Sequence, residues 1–222
     1  MQPTVVEDEV TTADGRTLRL TSHGDDFEVS VDGATLMSSL EHHSEGRMAE
    51  LACGGLGSGA RVLIGGLGLG YTLRAALDLV PSDASVVAVE LFDTVVYWNR
   101  TKLAHLAANP LKDARCKVLT GDFLKVLERA REPYDAILVD IDNGPEAFTV
   151  DRNERLYTTR GLATLTAALR PGATAVVWSA FASPRFLSEL HKAGFDAEAV
   201  SVRSRGTKGS RHTLFVARRP VG

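Results

Sequence analysis

An apolar run that stops at a glycine cluster, gives way to an amphipathic helix and is answered by a second apolar run ending on a carboxylate constrains this chain most. The first run is Arg61-Val62-Leu63-Ile64-Gly65 and the cluster is Gly66-Leu67-Gly68-Leu69-Gly70. The helix opens at Tyr71-Thr72-Leu73-Arg74, and the second run is Val86-Val87-Ala88-Val89-Glu90. Strand, tight turn, helix and strand make a βαβ unit, which places a nucleoside site at the carboxyl edge of its strands. Glycine suits the turn because a side chain there holds a ligand away from the backbone. Glu90 falls about 20 residues past the last glycine, where a carboxylate can accept both hydroxyls of a ribose.

The spacing narrows the ligand. Gly66-x-Gly68-x-Gly70 reads G-x-G-x-G, whereas the dinucleotide fingerprint is G-x-G-x-x-G, and Tyr71 stands at its last glycine. An adenosyl ligand without a pyrophosphate, such as S-adenosylmethionine, suits the shorter loop. Glycines also serve packing alone in buried α/β turns, so the nucleoside reading rests on the whole series, terminal Glu included.

At 222 residues the chain fits one domain with a small appendage and is long enough to bury a core. No apolar run approaches the roughly 18 residues of a membrane span. The N-terminus, Met1-Gln2-Pro3-Thr4-Val5-Val6-Glu7-Asp8-Glu9, lacks the basic and apolar regions of a signal peptide, so a cytoplasmic protein is expected. Cys53 and Cys116 are unclustered, which suggests neither a disulfide framework nor a zinc site. A net charge of -3 argues against broad electrostatic binding of nucleic acid.

Residues 1–40 read as short β segments at 17–21, 27–31 and 34–37, the last two turned by Asp32-Gly33. A helix over 46–52 runs into a Gly-Gly-Leu-Gly-Ser-Gly linker. From residue 61, strands at 61–65, 85–90, 116–120 and 134–140 alternate with helices at 70–80, 92–107 and 122–131. A helix at 159–170, a strand at 173–179 and a helix at 184–193 follow. Two last strands, 195–202 and 211–218, have no helix between them and pair as an antiparallel hairpin. The expectation is an α/β fold, a doubly wound, seven-stranded, mostly parallel Rossmann-like sheet with one antiparallel edge strand. That is the class I methyltransferase arrangement, over 41–222, with a small N-terminal β hairpin region over 1–40.

Ligands of such sheets sit beyond the carboxyl ends of the strands. There stand Gly66, Gly68 and Gly70, then Glu90, then Gly121-Asp122, then Asp140. Asp122 reads equally as the N-cap of the next helix and as the acceptor of an adenine amino group. Asp140 ends a central strand, where a general base belongs. With Asp142 and Glu146 it makes an acidic loop that attracts an amine and raises the pKa of one member. His42, His43 and Glu45 read as a solvated helix start rather than metal ligands, and Tyr71, Tyr97 and Trp98 read as core. Arg203, Arg205, Lys208 and Arg211 read as a solvated basic tip on the last hairpin.

These residues resemble the spermidine synthase family. Val62-Leu63-Ile64-Gly65-Gly66 through Thr72-Leu73-Arg74 is similar to its glycine motif. The resemblance makes Glu90 the ribose-binding acid, Asp122 the adenine-binding Asp, and Tyr134-Asp135 through Asp140 the strand that carries the catalytic Asp. Gly144-Pro145 followed by Leu156-Tyr157 resembles the segment after the catalytic loop. Three departures stand out. Gly68 replaces the Asp that holds the donor's amine, Asn143 replaces the loop's second Asp, and His42-His43-Ser44-Glu45 is a poor match to a Tyr-His-Glu segment.

The resemblance and its departures together imply a transferase using S-adenosylmethionine, moving a methyl group to a small nucleophile. The alternatives are aminopropyl transfer from decarboxylated S-adenosylmethionine and a nucleoside-binding protein without turnover. Expected catalytic residues are Asp140 and Asp142. Donor-binding residues are Gly66, Gly68, Gly70, Glu90, Asp122 and Asp140, and acceptor-binding residues are Asn143, Glu146 and Tyr157. No metal is expected. The expected partner is a small amine, with a homodimer open and no membrane.

Overall fold

The computed structural model describes residues 3–12, 15–141, 143–145 and 151–221. A small antiparallel sheet comes first, in the order β1-β2-β3-β4, formed by β1 (Val5–Thr11), β2 (Thr17–His23), β3 (Asp26–Val31) and β4 (Ala34–Ser38). Asp32 and Gly33 both take positive φ, 49° and 83°, the two-residue turn that an Asp-Gly pair favours. β1 lies outside the sequence expectation, because its Glu7-Asp8-Glu9 stretch carries no strand-forming signal. Tertiary partners hold it instead. Glu9 meets Arg19 on β2, and Asp8 accepts a hydrogen bond from the Trp98 indole at 2.8 Å.

The main sheet is built from β5 (Arg61–Gly65), β6 (Ser85–Glu90), β7 (Cys116–Thr120), β8 (Tyr134–Val139), β9 (Leu169–Ser179), β10 (Asp196–Arg205) and β11 (Lys208–Arg218). Its order is β10-β11-β9-β8-β5-β6-β7, with β5 to β9 parallel. The helices are α1 (His43–Cys53), α2 (Tyr71–Leu79), α3 (Asp93–Arg100), α4 (Phe123–Glu128), α5 (Thr159–Ala168) and α6 (Pro184–Lys192). Helices cover both faces, so the strands are continuously apolar rather than alternating. Val62, Ile64, Leu138 and Val176 pack with α1 and α2; Leu63, Ile137, Val139 and Phe215 pack with α4, α5 and α6. Each such buried side chain contributes roughly 1.5–3 kcal/mol. A third cluster joins β2 and β3 to Trp98 and Leu103, so the small sheet rests on α3 and the turn after it.

Two expectations are corrected. The antiparallel strand is not at the edge: β11 lies between β9 and β10, antiparallel to both. The crossover through α6 returns β10 parallel to β9, and a tight turn then folds β11 into the gap. Composition agrees with that placement, since Leu214 to Ala217 are fully buried while half-exposed β10 forms the rim. The helix expected over 92–107 ends at Arg100. The N–H groups of Thr101 and Leu103 both donate to the Trp98 carbonyl, which closes the helix into turns and drops Leu103 onto the small-sheet core.

Chain progression reverses at β5, with β6 and β7 on one side and β8 and β9 on the other. The carboxyl ends of β5 and β8 therefore open a crevice, and β4 of the small sheet covers it.

Candidate active site

A cavity of about 290 Å³ occupies this crevice. Its floor is the loop from Gly66 to Leu69, its roof runs from Thr35 to Ser38, and Glu90 and Asp140 stand on opposite sides. Small-molecule sites begin at about this size.

Glu90 ends β6 and is only 7% exposed. Its Oε2 accepts the Leu67 N–H and its Oε1 the Phe92 N–H, each at 3.0 Å. Burial pushes its pKa up, and these backbone donors pull it back. A carboxylate has about four acceptor positions, and the hydrogen bonds from Leu67 and Phe92 leave room for a ribose hydroxyl, with the Gly68 and Leu91 N–H groups also acting on the carboxylate.

The glycines are not equivalent. Gly66 has φ +88°, and a Cβ there would collide with the Asp140 carbonyl. Its N–H donates to Val89, while the Asp140 N–H donates to Gly65, both at 2.8 Å. Gly68 faces the cavity, and a Cβ on it would touch only Met37, at 3.4 Å from the sulfur. Gly70 precedes α2 and packs against Asn99 and Pro110, behind the cavity wall.

Asp140 follows β8 directly. Its Oδ2 accepts a 2.6 Å hydrogen bond from the Thr72 hydroxyl, and burial pushes its pKa up to about 6. Glu45 on α1 lines the same cavity, and burial together with the Asp140 charge pushes its pKa up to about 8. The sequence reading assigned the neighbouring acids to Asp142 and Glu146, which lie outside the described residues. The acid that interacts with Asp140 here comes from another element.

Behind Glu45 sits a polar cluster. The Ser44 hydroxyl lies 2.6 Å from Glu45 Oε2, 3.2 Å from His212 Nδ1 and 3.1 Å from the Trp178 indole nitrogen. Trp178 and His212 meet edge to face with ring centroids 4.7 Å apart, and both line the cavity. Asn143 lines it as well.

Other expected site residues stand apart. Asp122 caps α4 through the Lys125 N–H at 3.2 Å and pairs with Arg155 at 2.7 Å, outside the cavity lining. Tyr157 donates to the Ile141 carbonyl at 3.4 Å and borders a separate recess with Thr158 and Phe186. Tyr71 lines the cavity and stacks on His42 at 4.2 Å, Trp98 is buried under the small sheet, and Tyr97 is exposed. Among the described residues no group of three His, Cys, Asp or Glu side chains is placed to hold a metal. No helix among the described residues is long and apolar enough to cross a membrane.

Sequence reasoning missed Glu45, Thr72, Trp178 and His212. For Glu45 a signal existed: it shares the α1 stripe of Met48, Ala49 and Ala52, three, four and seven residues on, and these are buried. An acid on an apolar stripe marks either a partner or a pocket. Trp178 and His212 converge only because β11 lies beside β9, which local sequence does not reveal.

The sheet order, with the crevice at its switch point, is that of a Rossmann-like, class I methyltransferase-like fold. The chain belongs to the spermine/spermidine synthase domain family, whose model matches residues 42–192. Putrescine N-methyltransferase 2 of Nicotiana attenuata is 33% identical over 145 residues, 62% of this chain and 37% of that protein. Polyamine aminopropyltransferase 2 of Pseudomonas aeruginosa is 36% identical over 123 residues, 52% of this chain and 32% of that one. The chain thus spans about a third of the length of these curated relatives. The crystal structure of spermidine synthase from Thermotoga maritima matches with a TM-score of 0.76 over 98% of this chain and 74% of that one, at 15% identity. A spermidine synthase in complex with the transition state analogue AdoDATO gives 0.78 over the same shares, at 16% identity. At such identities the likeness is one of fold.

Proposed function

We propose that this chain binds an adenosyl sulfonium donor in the crevice and transfers a methyl group from it to an amine. The observation that carries this is one cavity holding a buried Glu90 with room for a ribose hydroxyl at one end and the Asp140–Glu45 pair at the other. The residues fit such a donor: Glu90 takes the ribose hydroxyls, and the loop at Gly66 and Gly68 carries its tail. Asp122 is the candidate partner of the adenine amino group, although both of its oxygens already have donors. When bound, the donor supplies a carbon activated by its sulfonium leaving group. The chain supplies alignment, an acidic cavity that attracts an ammonium, and a base, Asp140, to free the amine's lone pair. Asp142 and Glu146 are further candidates in the sequence after β8, and Asn143 lines the cavity.

Methyl transfer is favoured by Gly68, which puts no acid beside a donor amine. The plant relatives carry the name of that reaction. Aminopropyl transfer is the second reading, and one observation favours it. Glu41, Glu45, Glu90 and Asp140 line the cavity, and no Lys or Arg does among the described residues, so a donor without a carboxylate meets no repulsion. Calorimetric titration with both donors, followed by product analysis with putrescine as acceptor, decides between them. Adenosylhomocysteine with tighter binding of S-adenosylmethionine supports methyl transfer; methylthioadenosine with the opposite preference replaces it by aminopropyl transfer. Binding of neither donor overturns both.

A further inference from the structure

We propose that Glu45, Ser44 and His212 form a proton relay between two points on the wall of the cavity, running through the buried Ser44 hydroxyl. The inference rests on the transferase reading for its purpose, but its geometry stands by itself.

The argument is one of hydrogen-bond capacity. Ser44 is fully buried, and its hydroxyl has three polar neighbours: Glu45 at 2.6 Å, Trp178 at 3.1 Å and His212 at 3.2 Å. A hydroxyl donates once and accepts twice, and an indole N–H only donates. Trp178 therefore takes one acceptor position of Ser44 permanently. Two arrangements are left. Either Glu45 holds a proton and donates to Ser44, which donates to His212 Nδ1, or His212 Nδ1–H donates to Ser44, which donates to an ionised Glu45. One arrangement becomes the other when a proton moves at each end of the chain, with no heavy atom displaced. Trp178 acts as the fixed third contact that excludes other patterns.

The surroundings give the relay a reason to run. Glu45 interacts with Asp140 from β8, Glu41 from the segment before α1 and Tyr71 from α2, and Arg205 of β10 pairs with Glu41 at 3.3 Å. Burial raises both Glu45 and Asp140 and lowers His212, so the cluster resists holding extra charge at either end. An amine acceptor arrives as an ammonium and must lose a proton before its nitrogen attacks. The N–H bond breaks, the electron pair stays on nitrogen, and the proton enters the Asp140–Glu45 pair. As Glu45 receives it, the proton Glu45 held passes to Ser44 oxygen and the Ser44 proton passes to His212 Nδ1. His212, half-buried in the cavity wall, then releases a proton from Nε2 to solvent. Asp140 is left ionised, Glu45 carries the new proton on Oε1, and His212 keeps one on Nδ1. The relay resets when His212 exchanges that proton with solvent for one on Nε2 and the Ser44 hydroxyl turns back.

Two readouts test this. The first needs no turnover: 15N spectra of histidine-labelled protein, with His212 assigned by H212Q. At neutral pH His212 should carry its proton on Nε2, with the Nδ1 15N shift marking it as a hydrogen-bond acceptor, and Ser44→Ala should remove that Nδ1 hydrogen-bond signature while Ser44→Thr restores it. The second is the pH profile of product formation from S-adenosylmethionine, or its decarboxylated form, with putrescine. Ser44→Ala and H212Q should slow turnover at least about tenfold and shift the profile, with donor affinity within twofold. An unchanged Nδ1 hydrogen-bond signature in Ser44→Ala overturns the relay, as does a slower variant with the wild-type pH profile. If wild type makes no product with either donor, the transferase reading fails and the Nδ1 signature alone decides the relay.

Discussion

Exchanging Glu90 for Gln challenges the proposed donor site at its buried carboxylate. In the native protein each carboxylate oxygen accepts one loop N–H, from Leu67 and from Phe92, both at 3.0 Å. A carboxamide offers a single oxygen, so one of those N–H groups is left facing an NH2 group. A buried donor without an acceptor costs about 1–3 kcal/mol. Removing the charge relieves the burial that raises the Glu90 pKa, so the net loss falls toward the lower end. For a chain of this size about 1 kcal/mol moves Tm by roughly 2–4 °C. Donor binding suffers more. At least one ribose hydroxyl loses a charged acceptor worth about 1.5–3 kcal/mol, which is roughly a 10- to 150-fold rise in Kd. Calorimetry with S-adenosylmethionine and its decarboxylated form measures Kd, and melting followed by circular dichroism measures Tm. Wild-type affinity for the preferred donor, in a variant that is folded, would refute the ribose assignment and with it the placement of the nucleoside.

Asp140→Asn keeps the Thr72 hydrogen bond while removing the charge, so donor affinity and melting should stay near wild type while turnover falls at least about a hundredfold. Steady-state rates with putrescine check this, and a variant that keeps most of its activity would make Asp140 structural. Glu45 gives a stability prediction with a definite sign. Its pKa is raised from 4.5 to about 8 in the folded state, so the folded protein binds the extra proton and loses stability as pH climbs through that interval. Glu45→Gln should therefore gain Tm over wild type as pH rises from about 5 to about 8, and parallel Tm curves would show that Glu45 is not held in a buried environment.

The βαβ unit, the sheet class and the Asp-Gly turn were legible because each depends on local chemistry: apolar runs, glycines at turns, and a period set by the chain. What escaped the sequence depended on partners distant along it. β1 exists because Trp98 and Arg19 satisfy its acids, and nothing within Glu7-Asp8-Glu9 announces them. The wall formed by Trp178 and His212 arises from β11 pairing with β9, a register fixed by the core residues Leu214 and Phe215. Glu45 was set aside with His42 and His43 as a solvated cluster, although the helical period puts it with Met48 and Ala49 rather than with its charged neighbours. Position along the element was the better guide there than charge.

The glycine motif itself takes on a different meaning in three dimensions. Close approach of a ligand was the sequence-level reason for its glycines, yet of the three only Gly68 could carry a Cβ with no more than an ordinary van der Waals contact. Gly66 lacks a side chain because the Asp140 backbone occupies that space, and Gly70 because Asn99 and Pro110 crowd it. Hydrogen bonds from Asp140 to Gly65, from Gly66 to Val89 and from Leu67 to Glu90 then tie β5, β6 and β8 together at their carboxyl ends. The loop proposed to meet a donor is thereby locked to the strand end that carries the candidate base. A side chain at Gly66 would push Asp140 as much as any ligand, so the motif fixes the distance between the two halves of the site before anything binds.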